Sequence, residues 1–306
     1  MGDLVLALPS IRVVVYEDGS DDGTQSLLAA LIAEFPAHVR TVSEKVDWSF
    51  KKSQVRTWDN KPCRIECIAA ARNRLMELLE TEGMGELPTD LCLMVDPDMP
   101  IKTPVDRILH RLMAFPDEAD ALFANGISGI RGGAYYDMFA YRDDRFPMDA
   151  DVLGEEGWTD RQRVKGQTVG VPIPFNPPFP RPIPVWSAFG GLAIYRATSI
   201  KGKRYSAFPT GALNSLYRKF AAENPGHPDV QQLRASQSRA KTHHHGSLLG
   251  LHPFEKREDG GLFYFNCHGY NAPIVCEHIP FHAEMMTTGS RGRLWIDPAL
   301  VYISDH

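Results

Sequence analysis

The sequence predicts an α/β fold: an open, mostly parallel sheet flanked by helices. Short β-branched apolar runs alternate with segments whose apolar residues have helical spacing, and acidic turns directly follow two of the runs. Composition agrees, since 43% of the 306 residues are apolar and 23% are charged. In an open sheet of this kind, ligands bind at the carboxyl ends of the strands.

In the first hundred residues, strands and helices alternate. Glycine, proline or acidic clusters end most of the segments, and Pro36 stops the first amphipathic helix. The strongest helical stripe follows residue 63. We expect strands at Ile11–Tyr16, Val39–Val42 and Leu91–Val95, and helices at Gly2–Leu8, Thr24–Phe35 and Arg64–Leu79.

The amino-acid composition of the chain changes after Asp143. Gly166–Val185 is proline-rich and extended, and residues 224–261 are polar and predict a mobile surface insertion. The remaining ordered elements are a helix at Asp106–Phe115, strands at Ala119–Asn125 and Val185–Tyr195, and further order at Leu262–Phe265, Ile274–Glu284 and Leu294–Ile303.

Composition also excludes several classes. A net charge of −5 gives no basic field for nucleic acid. No apolar run reaches the roughly 18 residues of a membrane helix, so no membrane segment is expected. Five cysteines, an odd number, do not suggest a disulfide scaffold.

The segment Asp96-Pro97-Asp98 follows the predicted strand Leu91–Val95 and is the first candidate site. Two carboxylates one residue apart at a strand end can face one point, and such oxygens suit Mn²⁺ or Mg²⁺ when a diphosphate supplies further ligands. The same residues also suit a solvated turn. A second acidic loop at a strand end, which includes Asp18, favours the site.

Two further segments carry candidate groups. Asp18, in Glu17-Asp18-Gly19-Ser20, can accept hydrogen bonds from a nucleobase. Arg72, in the helical segment Ala71-Arg72-Asn73-Arg74, offers the guanidinium that a diphosphate needs. Two arginines on a helix are also typical of a solvent-exposed face.

Together, E-D-G-S-D-D-G-T, A-R-N-R and D-P-D resemble a nucleotide-sugar glycosyltransferase of the GT-A fold. Three later segments are similar, in order, to motifs of the fungal capsular α-1,3-mannosyltransferase family. They are Y-Y-D-M-F-A-Y-R-D (135–143), P-V-W-S-A-F-G-G (184–191) and C-E-H-I-P-F-H-A-E (276–284).

The resemblance implies one GT-A domain over residues 1–306. Residues 1–100 would bind a nucleoside-diphosphate sugar, with GDP-mannose as the family-based expectation. Residues 101–306 would bind a glycan acceptor.

The resemblance also implies residue roles. Asp18 would contact the base and Arg72 the diphosphate or ribose side. Asp96 would touch the ribose or the metal, and Asp98 would bind the metal. Glu277 would lie near the acceptor or the anomeric carbon. His282, or else His278, would complete the metal shell, and a satisfied core histidine is the competing interpretation.

Two departures qualify the resemblance. The family's W-N-G reads Phe189-Gly190-Gly191 here, which alters the acceptor side. A GT-A fold would also begin with a strand and a helix before Ile11, and Pro9-Ser10 is too short for a parallel crossover. We therefore expect the first strand and most of its helix to be lacking. A cytoplasmic location is the default, and the Golgi lumen is open if an anchor preceded the chain.

The predicted reaction is transfer of a hexose, with mannose the best guess, to a glycan or polysaccharide hydroxyl. Glu277 would take the acceptor proton in an inverting reaction, or position the acceptor in a retaining one. Two alternatives stay open: a metal-dependent nucleotidyltransferase, and a non-catalytic sugar- or nucleotide-binding remnant of a glycosyltransferase.

Overall fold

The computed structural model describes residues 2–45, 64–87, 90–96, 105–128, 135–137, 139–148, 181–234, 255–256, 262–263, 275–288 and 293–304. Up to β4, its elements follow the sequence prediction closely. They are α1 (Gly2–Ala7), β1 (Val13–Glu17), α2 (Thr24–Glu34), β2 (Val39–Ser43), α3 (Arg64–Thr81), β3 (Leu91–Val95), α4 (Val105–Met113) and β4 (Ala121–Ser128).

The later elements include shorter strands. They are β5 (Ile183–Val185), β6 (Leu192–Arg196), α5 (Ala197–Ile200), α6 (Gly211–Glu223), β7 (Glu255–Lys256), β8 (Leu262–Phe263), α7 (His278–Thr288) and β9 (Leu294–Ser304). Pro280 lies in the first turn of α7, where its missing N–H costs the helix nothing. Among the described helices, none is long and apolar enough to cross a membrane.

The described strands form a mixed α/β structure. A five-stranded sheet has the order β3-β6-β4-β9-β5, and β1 and β2 form a separate parallel pair. In the larger sheet, only β4 and β9 pair in parallel, and the other three pairings are antiparallel. The expectation of a mostly parallel sheet is therefore wrong, because β6 and β5 run against their neighbours.

The expected single strand Val185–Tyr195 is broken in the structure. Gly190 and Gly191 have φ values of 66° and 89°, a backbone region that favours glycine. A Cβ on Gly190 would lie 2.4 Å from the carbonyl oxygen of Ala124, and one on Gly126 would lie 2.6 Å from that of Gly190. The two glycines thus make a tight turn against β4 and separate β5 from β6.

Two apolar layers cover the five-stranded sheet. One packs α3, α6 and α7 on buried residues that include Phe123 and Tyr195. The other packs α4 on residues that include Leu122 and Ile194. Because side chains alternate along a strand, β4 and β6 contribute side chains to both layers. This explains why their sequences are almost continuously apolar.

The expected insertion over residues 224–261 is partly corrected. Residues 228–234 are helical, and Val230 is fully buried in the main core. Between residues 235 and 261, the structure describes only β7, which pairs with β8. The beginning of this polar segment is ordered because one of its apolar residues, Val230, packs in the core.

Candidate active site

The carboxyl ends of β3 and β4 lie at the same edge of the sheet, since both strands run antiparallel to β6. The turn before β6 lies at this edge too, where the backbone N–H of Asp96 donates to the carbonyl of Gly191 at 3.0 Å. The hydroxyl of Tyr302 donates to the carbonyl of Asp96 at 3.2 Å. The sheet thereby fixes the backbone of the predicted acidic segment at its first residue.

Arg72 joins two of the predicted motifs. Its Nη2 lies 2.9 Å from Oδ1 of Asp96, and its Nε lies 3.1 Å from Oε1 of Glu277. The guanidinium is largely buried, and the two carboxylates raise its pKa against the opposing effect of burial. The structure therefore brings together Arg72, Asp96 and Glu277, which lie far apart in the sequence.

The residues next to Arg72 in α3 have separate tasks. The side-chain amide of Asn73 donates to the carbonyl of Tyr205 at 2.9 Å and accepts from its N–H at 2.6 Å. Arg74 forms ion pairs with Glu44 at 2.9 Å and with Glu77 at 3.1 Å. The A-R-N-R segment thus connects α3 to four other parts of the chain, and only its first arginine reaches the acidic edge.

Aromatic rings form one wall of the site. The guanidinium carbon of Arg72 lies 4.9 Å from the ring centre of Phe189 and 5.8 Å from that of Tyr205. The ring of His278 stacks on Phe189 with centres 4.2 Å apart. The Phe189-Gly190-Gly191 segment, which departs from the family pattern, therefore lies directly against the predicted site.

Glu277 immediately precedes α7, where the helix N-terminus favours a negative charge. It is 5% exposed, and its Oε2 accepts from the thiol of Cys276 at 3.6 Å. Nε2 of His278 lies 3.5 Å from its Oε1. Burial, followed by the charge of Arg72, lowers the pKa of His278 well below the usual range, so this ring is neutral at pH 7.

The structure does not favour His282 as a metal ligand. The residue is fully buried, and both ring nitrogens are already engaged: Nδ1 lies 2.8 Å from the hydroxyl of Ser187, and Nε2 lies 3.0 Å from that of Tyr195. Burial is the main cause that lowers its pKa to about 3. His282 and His278 do share a face of α7 as expected, with ring centres 5.6 Å apart. The competing interpretation, a satisfied core histidine, describes His282 better.

Asp137 is a site residue to which sequence reasoning assigned no role. It lies in the quoted Y-Y-D segment, and its charge interacts with those of Glu277, Asp96 and Arg72. Burial and then the two carboxylates raise its pKa to about 7. Its position in that motif was the available signal, but only the fold shows which charges it faces.

Asp18 follows β1 in the two-stranded sheet. The preceding residue, Glu17, is the one that organises this loop, since its carboxylate accepts from the N–H of Ser20 and the hydroxyl of Ser43. The loop region is linked to α3 through the ion pair of Glu44 with Arg74. The nucleobase contact of Asp18 stays a prediction.

The metal site also stays a prediction. Asp98 lies outside the described residues, and the described part of the chain contains no group of three His, Cys, Asp or Glu side chains that could hold a metal ion. Asp96 alone is a fitting donor, because a cation that keeps substrate phosphates as ligands needs only one or two carboxylates. The described donors do not by themselves form a metal centre.

Comparison with known protein families, curated proteins and solved structures gives no match for this chain.

Proposed function

We propose that this chain is a metal-dependent glycosyltransferase of the GT-A type. It would move a hexose, with mannose the best guess, from a nucleoside-diphosphate sugar to a glycan hydroxyl. The observation that carries the proposal is the bridge from Arg72 to Asp96 and Glu277, two residues that lie 24 and 205 positions away in the sequence. Three of the six segments that carry the resemblance thus meet at one point.

The charge balance at this point supports a need for a cation. Arg72 supplies one positive charge against the carboxylates of Asp96 and Glu277, and ionisation of Asp137 adds a third negative charge. A diphosphate would be repelled by such a site unless Mn²⁺ or Mg²⁺ accompanied it. Asp98, one residue beyond Pro97, is the proposed principal ligand, and Asp96 would face the ribose.

The structure modifies the proposed role of Arg72. Since its charge is already matched by two carboxylates, Arg72 adds no net positive charge for a leaving diphosphate. We assign it to positioning: it fixes the distance between the end of β3 and the start of α7. When bound, the cation would supply the charge that stabilises the departing diphosphate.

A donor screen tests the proposal. The purified chain is incubated with a set of nucleoside-diphosphate hexoses, GDP-mannose among them, plus Mn²⁺ and methyl hexosides as acceptors, and release of nucleoside diphosphate is followed. We expect turnover with at least one donor and its loss in EDTA. No turnover of any donor would refute the proposal, and pyrophosphate release from a nucleoside triphosphate would favour the nucleotidyltransferase alternative.

Arg72→Lys and Arg74→Lys form a matched pair, since both residues lie on α3 and pair with two carboxylates. Lysine keeps the charge but cannot hold two carboxylates with a planar fork. We expect Arg72→Lys to lower turnover about 100-fold, and Arg74→Lys to leave it unchanged. Equal effects of the two substitutions would contradict the assigned bridge.

A further inference from the structure

Glu277 is poorly placed to receive an acceptor. Both of its oxygens are engaged, with Arg72 and His278 on Oε1 and Cys276 on Oε2, and the residue is 5% exposed. At this exposure, Glu277 offers a substrate hydroxyl little access. A proton on Glu277 would also remove the charge that Arg72 pairs with, so its contacts fit a structural task.

Asp137 is placed differently. The residue is half-buried, in contrast to Glu277. The N–H of Tyr136 donates to the carbonyl of Gly126 at 2.8 Å, which ties this segment to the carboxyl end of β4. Oδ1 of Asp137 accepts from the N–H of Ala140 at 3.3 Å. The residue is thus held at the edge where Asp96 also lies.

The charged groups around Asp137 come from three elements. Glu277 before α7 and Asp96 after β3 oppose its ionisation, whereas Arg72 of α3 and the N–H of Ala140 favour it. Its close titratable neighbours also include Tyr135 and Cys276, and burial raises the pKa of both far above neutrality, so they remain uncharged. Burial and then the two carboxylates raise the pKa of Asp137 to about 7, so its own charge changes near neutral pH.

We infer that Asp137, and not Glu277, binds the acceptor hydroxyl, while Glu277 serves as a positioning residue for Arg72. This inference rests on the proposed glycosyltransferase function and names the acceptor side of the same site. The ionised carboxylate of Asp137 accepts a hydrogen bond from the sugar O–H. Asp137 is half-buried, whereas Glu277 is 5% exposed and already paired with Arg72.

Kinetics at saturating donor test the assignment, with a methyl hexoside that the wild-type chain uses. Asp137→Asn removes the charge and keeps the size, so we expect the KM for the acceptor to rise about 10- to 100-fold, the loss of one charge-assisted hydrogen bond. Glu277→Gln should instead lower kcat with less change in acceptor KM. Asp144→Asn, an exposed neighbour on the same loop, is the control.

Each result has a separate meaning. If the wild-type chain turns over no donor, the proposed function fails and the acceptor role fails with it. If it turns over donor but Asp137→Asn keeps the wild-type acceptor KM, only the role of Asp137 is refuted. If Glu277→Gln raised the acceptor KM as much as Asp137→Asn does, the role of binding the acceptor hydroxyl would be assigned to Glu277 instead.

A stability measurement in EDTA tests the placement of Asp137 without substrate. A carboxyl whose folded pKa of about 7 exceeds its unfolded value stabilises the fold at low pH, and this contribution is lost as pH rises toward 7. Asp137→Asn does not titrate, so its melting temperature should exceed that of the wild type at pH 8 and match it near pH 4. If the melting temperatures of the variant and the wild type differed by a constant amount from pH 4 to pH 8, Asp137 would not belong to the charged cluster.

Discussion

The five-stranded sheet and the β1–β2 pair contain similar apolar strands but bury them to different degrees. In β6, four consecutive residues are buried, whereas in β1 the residues from Val13 to Tyr16 are only half-buried. α2, which packs near β2, has no buried residue, and Leu27 on it is 73% exposed. The β1–β2 pair therefore builds only a small buried cluster of Val5, Phe35 and Val39, whereas layers on both faces bury nearly all of β6.

Charged side chains are also buried to different degrees in the two regions. Around the five-stranded sheet, Arg72, Glu277 and His282 are buried and held by specific partners. Next to the β1–β2 pair, the ion pair of Glu44 with Arg74 of α3 is more exposed, at 38% and 40% of the two side chains. The difference places most of the stability, and most of the candidate site, on the larger sheet. The predictions below test this division.

The largest effect is expected from removing a core side chain of the larger sheet. Leu192 of β6 is fully buried in the layer that faces α4. Leu192→Ala should lower the free energy of unfolding by about 2–5 kcal/mol, since it leaves a cavity. Urea denaturation followed by circular dichroism measures this loss.

Leu27→Ala in α2 is the matched control. The same atoms are removed from an exposed position, so the change should stay within about 0.5 kcal/mol. If Leu27→Ala cost as much as Leu192→Ala, some other part of the protein would cover α2, and the contrast between the two regions would be wrong.

A second and smaller effect concerns His282. Since its folded pKa of about 3 lies below the unfolded value, stability is complete above about pH 6.5 and falls as pH drops toward 3. His282→Gln can still bond the hydroxyls of Ser187 and Tyr195 but does not titrate. We expect a shallower loss of melting temperature between pH 6.5 and 4, with part of the slope kept by His278.

His110→Gln, an exposed site on α4, is the control for this measurement and should leave the slope unchanged. A His282→Gln variant with the wild-type pH slope but with lost dependence on Mn²⁺ would contradict the core assignment and restore the metal role.

Local sequence patterns predicted the helices up to α4 and most strands, but missed α5, α6 and the partners of buried polar groups. The stripe on α3 and the β-branched run of β3 depend on neighbouring residues alone, so both elements are confirmed. The hydroxyls that bond His282 lie 95 and 87 positions away. No periodicity reports such contacts, which is why a core histidine and a metal ligand could not be separated.

The strand order could not be predicted for the same reason, because it too depends on contacts between residues far apart in the sequence. Gly190-Gly191 was visible as a pair, but the turn that it makes depends on the close approach of Gly126. β5 and β6, on either side of that turn, both run antiparallel to β4 and β9, so the expected mostly parallel sheet becomes mixed. The two carboxylates that, after burial, raise the pKa of Asp137 likewise lie on other elements.

The smallest effect is expected at the acidic turn after β1. Hydrogen bonds from Ser43 and Ser20 lower the pKa of Glu17 to about 2. The resulting stabilisation is present above the unfolded pKa near 4.5 and is lost as pH falls toward 2. Ser43→Ala removes the largest contribution, so the pKa of Glu17 should rise, as NMR titration of its carboxyl carbon would show.

Ser26→Ala, at an exposed position of α2, should leave that titration unchanged. Because Glu17 lies in the smaller sheet, the melting temperature of Ser43→Ala at pH 7 should fall less than that of Leu192→Ala. The difference from the wild type should then vanish near pH 2. An equal or larger fall would mean that the two-stranded sheet supports the larger one, since loss of a single hydroxyl there would then weaken both.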